Sequence, residues 1–201
     1  MSRILLHSCC APCSSAILEW MLGNDYTPVV FFYNPNIYPI DEYEKRKAEI
    51  VAHCQRLGIE YVDGDYDHNA WLSQCSPLAD APERGERCTL CFRLRLLAAA
   101  QKAAELGIST FATTLASSRW KNIEQVNAAG LWAAQQVNLE WTRNTLPSAQ
   151  EIPDNNTPKV EFWANNWRKG GLQQRRQELL KQYGFYNQLY CGCEFSQRQK
   201  N

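Results

Sequence analysis

Residues Pro28 to Tyr33 read Pro-Val-Val-Phe-Phe-Tyr, an unbroken apolar run that stops at Asn34-Pro35-Asn36. A strand with one face in water alternates apolar and polar side chains. An unbroken run suits a strand covered on both faces, as in a parallel sheet between two helical layers. The surrounding segments agree. Ile4 to His7 reads as a first strand, Ile59 to Val62 as a third and Ile108 to Thr114 as a fourth. Helical patterns separate them. Ser15 to Leu22 has Ser14 as a candidate cap, and Asp41 to Leu57 puts Tyr43, Ile50, Val51, Cys54 and Leu57 on one side. Cys88 to Leu106 ends at Gly107. Asn122 to Val137 continues as a helix, and Leu139 to Thr142 reads as a fifth strand. Alternation of this kind demands right-handed βαβ crossovers. The expected fold is therefore α/β, a doubly wound, mostly parallel sheet with helices on both faces.

The 201 residues suit a single α/β domain spanning 1–201. Residues 75–87 read as a loop, and 144–158 are polar and proline-broken. A polar insertion is expected near 144–167, then a basic helix over Gly171 to Tyr183 and a cysteine-bearing tail over 186–196. Hydrophobic residues at 45% and charged residues at 21% exclude a disordered chain. Lysine plus arginine equals aspartate plus glutamate at 21 each, so a nucleic-acid surface would have to be a local patch. No apolar run is long enough to span a bilayer, and Met1 to Cys9 lacks the features of a secretion signal. The expected location is the cytoplasm, with no membrane partner.

Nine cysteines stand out in such a chain, because structural disulfides are rare in a reducing compartment. Three groups form: Cys9-Cys10-x-x-Cys13, Cys88-x-x-Cys91 and Cys191-Gly192-Cys193. Cys9 and Cys10 fall at the carboxyl end of the first strand, where open α/β sheets place their chemistry. A Cys-x-x-Cys pair at a helix start gains from the positive end of the helix, which favours thiolate. Four thiolates hold a [4Fe–4S] cluster or a structural zinc, and Cys9, Cys10, Cys88 and Cys91 make such a set if their loops meet. Cys13 reads as a further ligand, a redox thiol or a loop residue. Cys54 and Cys75 read as core. A disulfide across one residue is strained and exchanges readily, so Cys191 and Cys193 read as a redox pair, with two more metal ligands as the alternative. A phosphate-cradling loop is poorly supported, since His7 to Cys13 contains no glycine. This weighs against an ATP-dependent thiolase-like enzyme. A zinc module binding RNA or protein is the other competing reading.

The stretches LLHSCCAPCSS (5–15), FFYNPNIYP (31–39), GERCTLCFRLRL (85–96), FATTLASSRWKN (111–122) and YGFYNQLYCGCEFS (183–196) resemble the QueH-type epoxyqueuosine reductases, in order and over nearly the whole chain. The resemblance implies an iron–sulfur oxidoreductase on a nucleotide-hydrolase-like, Rossmann-like sheet. Its reaction would remove the epoxide oxygen of epoxyqueuosine at the tRNA wobble position, giving queuosine. Carried over by residue, the cluster ligands fall on Cys9, Cys10, Cys88 and Cys91, and the redox pair on Cys191 and Cys193. The connection from Asn144 to Trp167 is longer and more polar than the family's usual one. The implied cofactor is a [4Fe–4S] cluster. An additional mononuclear iron beside it would find a natural ligand in Cys13. The implied partners are tRNA bearing epoxyqueuosine and an unidentified electron donor. His7, Asp41 and Tyr38 are candidate general acids, although a lone strand histidine is usually a satisfied core residue. Candidate RNA contacts are Arg84, Arg87, Arg93 and Arg95, then Arg119 and Lys121, then Arg168, Lys169, Arg175 and Arg176. Trp120, Trp163 and Trp167 are candidate stacking platforms, each with core packing as its alternative.

Overall fold

A computed structural model describes residues 2–145 and 159–197. Five strands form one all-parallel sheet: β1 (Ser2–His7), β2 (Tyr26–Phe32), β3 (Glu60–Asp63), β4 (Thr110–Thr113) and β5 (Glu161–Phe162), in the order β3-β2-β1-β4-β5. Residues Pro28 to Phe32 of β2 are all buried, as the unbroken apolar run requires. The helices between the strands are α1 (Ala11–Gly23), α2 (Ile40–Leu57), α3 (His68–Cys75), α4 (Glu86–Glu105) and α5 (Ile123–Thr145). They are followed by α6 (Leu172–Tyr183) and the short α7 (Glu194–Gln197). Helix α1 packs on α2 and α6, and α4 packs on α5, so the sheet is clad on two faces and the doubly wound expectation holds. Strand order reverses between β1 and β4. A crevice opens at such a switch point, off the carboxyl ends of the strands.

Several boundaries depart from the sequence reading. Helix α1 begins at Ala11 with Cys10 as its N-cap residue, not at Ser15 behind Ser14. Pro12 fits the first turn, where no amide hydrogen is needed. Ser14 lies inside the helix, its hydroxyl 2.8 Å from the Cys10 carbonyl. Leu139 to Thr142, expected as a strand, belongs to α5. The fifth strand is instead β5, which forms inside the segment read as an insertion. Residues 146–158, most of that segment, lie outside the described residues. Helix α5 comes close enough to Phe162 that a Cβ at Gly130 would meet its ring at 2.5 Å, so glycine sets the approach. Residues 75–87 also hold the end of α3, a short 3-10 turn at Ser76–Leu78 and the start of α4.

Candidate active site and metal centre

The carboxyl ends of β1 and β4 are tied together before the chain reaches the first cysteines. His7 Nδ1 lies 2.8 Å from Thr113 Oγ1, and His7 Nε2 lies 3.1 Å from the Tyr33 carbonyl. The carbonyl requires Nε2–H, and the Leu115 amide already donates to Thr113 Oγ1 at 3.2 Å. The Thr113 hydroxyl therefore donates to a neutral ring. Burial, then Arg95, pushes His7 down to about 3. It is a satisfied core histidine that fastens the floor of the crevice, and it does not line the cleft. Nor do Asp41 and Tyr38, the other candidate acids.

From that floor the chain turns into the first cysteine group. The sulfur atoms of Cys9, Cys10 and Cys13 all lie within 4.8 Å of one another, with Cys9 and Cys10 3.8 Å apart. This buried cluster can hold a metal ion. Its position at the N-terminus of α1 exposes it to the positive end of the helix. Hydrogen bonds from Cys10 and Cys13 hold the Cys9 thiol well below its usual range, against the cost of burial. Burial pushes Cys10 up. At Cys13 the Cys10 bond pulls down, but the Cys9 bond and burial win, leaving it at about 11. A buried trio of thiols that share protons is a site from which a thiophilic metal displaces them on binding.

The other cysteines reach the same place from elsewhere. A cleft of about 600 Å³ is lined by Cys9, Cys13, Cys88, Cys191 and Cys193 among others. The four thiols expected to act together thus belong to two groups. Cys9 and Cys10 stand with Cys13, whereas Cys88 and Cys91 stand in the first turns of α4 beside the tail cysteines. Cys10 and Cys91 do not line the cleft. Burial raises both Cys88 and Cys91, and the charge of Cys191 adds to each. The Arg84 amide approaches Cys88 Sγ at 3.3 Å and opposes the rise. Burial and Cys191 push Cys193 to about 11. Cys54 and Cys75 are core, as expected, and burial raises both to about 12. Cys75 nevertheless packs in one small cluster with Cys91, Cys193, Trp71 and Phe195. All nine cysteines are free thiols.

The tail is held in place by a residue the sequence reading passed over. Arg46 is buried in α2 and pairs with Glu42 at 2.6 Å. Its Nη1 donates to the Cys191 carbonyl at 3.2 Å and its Nη2 to the Tyr190 carbonyl at 3.4 Å. The Tyr38 amide donates to the Gly192 carbonyl at 2.8 Å. Gly192 has φ +117, and a Cβ there would meet Ile37 at 3.0 Å and Arg46 at 3.1 Å, so the turn between the two cysteines needs glycine. Gln188 completes the link: its Nε2 lies 2.7 Å from Cys10 Sγ and 3.6 Å from Cys13 Sγ. The i, i+4 spacing of Glu42 and Arg46 was the available signal for the clamp. Nothing in the sequence pointed to Gln188.

Two more buried guanidinium groups attend the cysteines. Arg87, Cys91 and Arg95 follow one another at i, i+4 along α4, and both arginines are at most 2% exposed. Neither forms an ion pair with a carboxylate among the described residues. Arg87 spends Nη1 on three carbonyls, of Leu78, Ala79 and Ala81, while its Nε and Nη2 find no partner. Arg95 Nη2 bonds Asn34 Oδ1 at 2.5 Å, and its Nε is left over. Buried charge needs a counter-charge. Cysteine sulfurs are the groups at hand, and unfilled N–H donors suit an anionic metal–thiolate group. Lys121 agrees: burial opposes its charge, but Cys191, Cys9 and Cys13 raise it overall.

Comparison with known proteins decides the family. The model of the family described as "Epoxyqueuosine reductase QueH" matches residues 4–155 and 145–199. The chain belongs to the QueH epoxyqueuosine reductase family. A relative named epoxyqueuosine reductase QueH from Histophilus somni is 40% identical, over 100% of this chain and 74% of its own length. One from Acinetobacter baylyi is 40% identical over 99% of this chain and 82% of its own. One from Thermotoga maritima is 32% identical over 98% of this chain and 91% of its own. As a QueH family member the chain is an oxidoreductase of queuosine biosynthesis, an epoxyqueuosine reductase. No helix among the described residues is long and apolar enough to cross a membrane.

Proposed function

We propose that the chain reduces the epoxide of epoxyqueuosine in tRNA to the alkene of queuosine in the cytoplasm, with a [4Fe–4S] cluster held by Cys9, Cys10, Cys88 and Cys91. One observation carries the reading: Cys9 and Cys13 of the first group, Cys88 of the second and the Cys191–Cys193 tail line one cleft, with Cys10 and Cys91 buried behind them. The reaction breaks both C–O bonds of the epoxide and forms C=C. It takes up two electrons and two protons, and the oxygen leaves as water. When bound, the cluster supplies one-electron steps, or Lewis acidity toward the departing oxygen. An additional mononuclear iron, if carried, would draw on Cys13, the third member of the buried sulfur trio.

The chain's own residues prepare the place. Arg46 and Gly192 fix the tail so that Cys191 and Cys193 face the cleft, where the dithiol can give up two electrons and two protons as it closes to a disulfide. Lys121 keeps positive charge among the cysteines as negative charge gathers. The enclosed volume falls in the range of small-ligand pockets, which suits a nucleoside turned out of its stack. A donor outside the chain re-reduces the site.

Protein purified without oxygen should contain about four irons with matching sulfide and absorb in the visible. It should convert epoxyqueuosine tRNA when given a chemical reductant. Cys9→Ala and Cys88→Ala should each lose iron and activity together. Retention of full iron in either variant removes that residue from the ligand set. Cys191→Ala and Cys193→Ala should keep iron and lose multiple turnover, and a wild-type rate in both would end the redox-pair assignment.

A further inference from the structure

We propose that Trp120 is a stacking platform for a base flanking the wobble nucleotide, with Arg119 and Arg176 gripping the neighbouring phosphates. The inference rests on the tRNA reading above and assigns the RNA footprint to particular side chains.

Charge is the first observation. The chain's charges cancel, yet the cleft is lined by the cations Arg46, Arg84, Arg87, Arg119, Lys121 and Arg176 against a single acid, Glu83. Such a funnel attracts a polyanion, and its low-dielectric walls focus the field. Arg46 and Arg87 are buried and engaged, and Arg84 bonds the carbonyls of Trp120 and Arg119 at 2.8 and 3.5 Å, which leaves Arg119 and Arg176 for phosphates nearer the mouth. Arg176 forms no ion pair with a carboxylate among the described residues.

The second observation separates the tryptophans. Trp167 is 1% exposed, wedged edge-on against Trp20 and Trp163, and Tyr26 closes the group. Those rings serve packing, so Trp163 and Trp167 take the core alternative to stacking on bases. Trp120 is 53% exposed at the cleft, whereas Cys9 and Cys193 are 7% and 8% exposed. A base turned in toward the thiols therefore passes this ring. Its place at the rim suits the base that stays behind.

The third observation is that the loop beneath the ring is clamped. Arg84 Nε donates to the Trp120 carbonyl at 2.8 Å. Arg168 Nη2 donates to the carbonyls of Ser118 and Lys121 at 2.5 and 2.7 Å, and Gln173 Nε2 donates to the Ser117 carbonyl at 2.9 Å. The Arg119 guanidinium lies 5.8 Å from the ring centroid. An exposed aromatic on a fixed backbone beside a cation is the arrangement that single-stranded nucleic acid favours. The same geometry removes two earlier candidates. Arg175 is taken up by Glu19 and Glu178, and Arg168 is spent on the loop itself.

The test uses the full chain and two anticodon stem-loops, one with guanosine and one with epoxyqueuosine at the wobble position. Trp120→Ala should raise Kd by roughly tenfold or more for both, with Trp120→Phe close to wild type and the salt slope unchanged. Arg119→Gln and Arg176→Gln should each flatten the slope of log K against log salt by about 0.7, whereas Arg175→Gln should not. Wild-type Kd in Trp120→Ala overturns the platform. A loss confined to the epoxyqueuosine RNA also overturns it, because the ring would then meet the modified base itself. Turnover of epoxyqueuosine tRNA by the wild type is measured alongside. Its absence sinks the reductase reading and the inference with it. Turnover accompanied by unchanged Trp120→Ala binding sinks the inference alone.

Discussion

At the scale of single residues, the deciding feature is positive charge buried without carboxylates. Arg95 sits one helical turn beyond Cys91, and its bond to Asn34 Oδ1 continues as Asn34 Nδ2 to the Ser8 carbonyl at 2.9 Å. It therefore props the backbone that carries Cys9 while its charge acts on His7 and Cys9. Each added electron makes a thiolate-bound cluster more negative, so a nearby fixed cation favours the reduced form. Arg95→Met should lower the midpoint potential of the proposed cluster by tens of millivolts, a kilocalorie-scale effect. Arg95→Lys should lower it less. Spectroelectrochemical titration of the two variants checks this, and an unchanged potential in Arg95→Met would mean that the charge does not reach the cluster. Sequence alone put Arg87 and Arg95 among the RNA contacts, because charged side chains are usually exposed. The spacing does place Arg87, Cys91 and Arg95 on one helix face. Spacing could not show that this face turns inward. That depends on how α4 meets the sheet.

At the scale of elements, the sheet core was legible and the pieces that finish the site were not. Strands β1, β2 and β4 and helices α2 and α4 followed from apolar runs and helical periodicity. Helix α3 escaped because it is short and its amphipathic signal weak. Strand β5 escaped because two residues carry no period. The strand expected at Leu139 to Thr142 failed for a related reason: β-favouring residues there are absorbed by a helix already running. Asn138 shows what the longer helix does. Its Nδ2 donates to the Val160 carbonyl and its Oδ1 accepts from the Val160 amide, both at 3.0 Å, so a helix side chain secures the backbone leading into β5. Only tertiary placement creates that bond. The tail behaves similarly, since its cysteines were plain in the sequence but the clamp on α2 was not. Arg46→Met should leave the Cys9–Cys10–Cys13 group intact while freeing the carbonyls of Tyr190 and Cys191. Hydrogen exchange should rise at the Tyr38 amide, which bonds Gly192, and turnover should fall at least tenfold with iron content unchanged. Unaltered exchange at Tyr38 would show that Gly192 and its neighbours hold the turn without the arginine.

At the scale of the whole molecule, the layers that surround the site are tied together by a buried histidine whose protonation the fold resists. His53 lies in α2 with its ring edge-on to Tyr183, at the end of α6, and to Phe185, at the start of the tail. Its Nδ1 faces Arg56 Nη1 at 3.2 Å, and its Nε2 is buried without a partner. Burial, then Arg56, lowers it from 6.5 to about 4, against a smaller upward pull from Glu19. The sign of the pH dependence follows. Between about 6.5 and 4 the unfolded chain binds a proton that the native state refuses. Stability is therefore complete above that window, falls as pH drops through it and levels off below. The loss from this one group is roughly 3 kcal/mol at most. His53→Phe keeps an aromatic ring between α2, α6 and the tail but cannot titrate. Urea unfolding of wild type and variant at pH 7 and pH 4.5 separates this histidine from the carboxylates, whose contributions are common to both chains. A smaller drop in the variant assigns the difference to His53. Equal drops would place the acid sensitivity of the fold elsewhere, and the junction of α2, α6 and the tail would then owe its stability to packing alone.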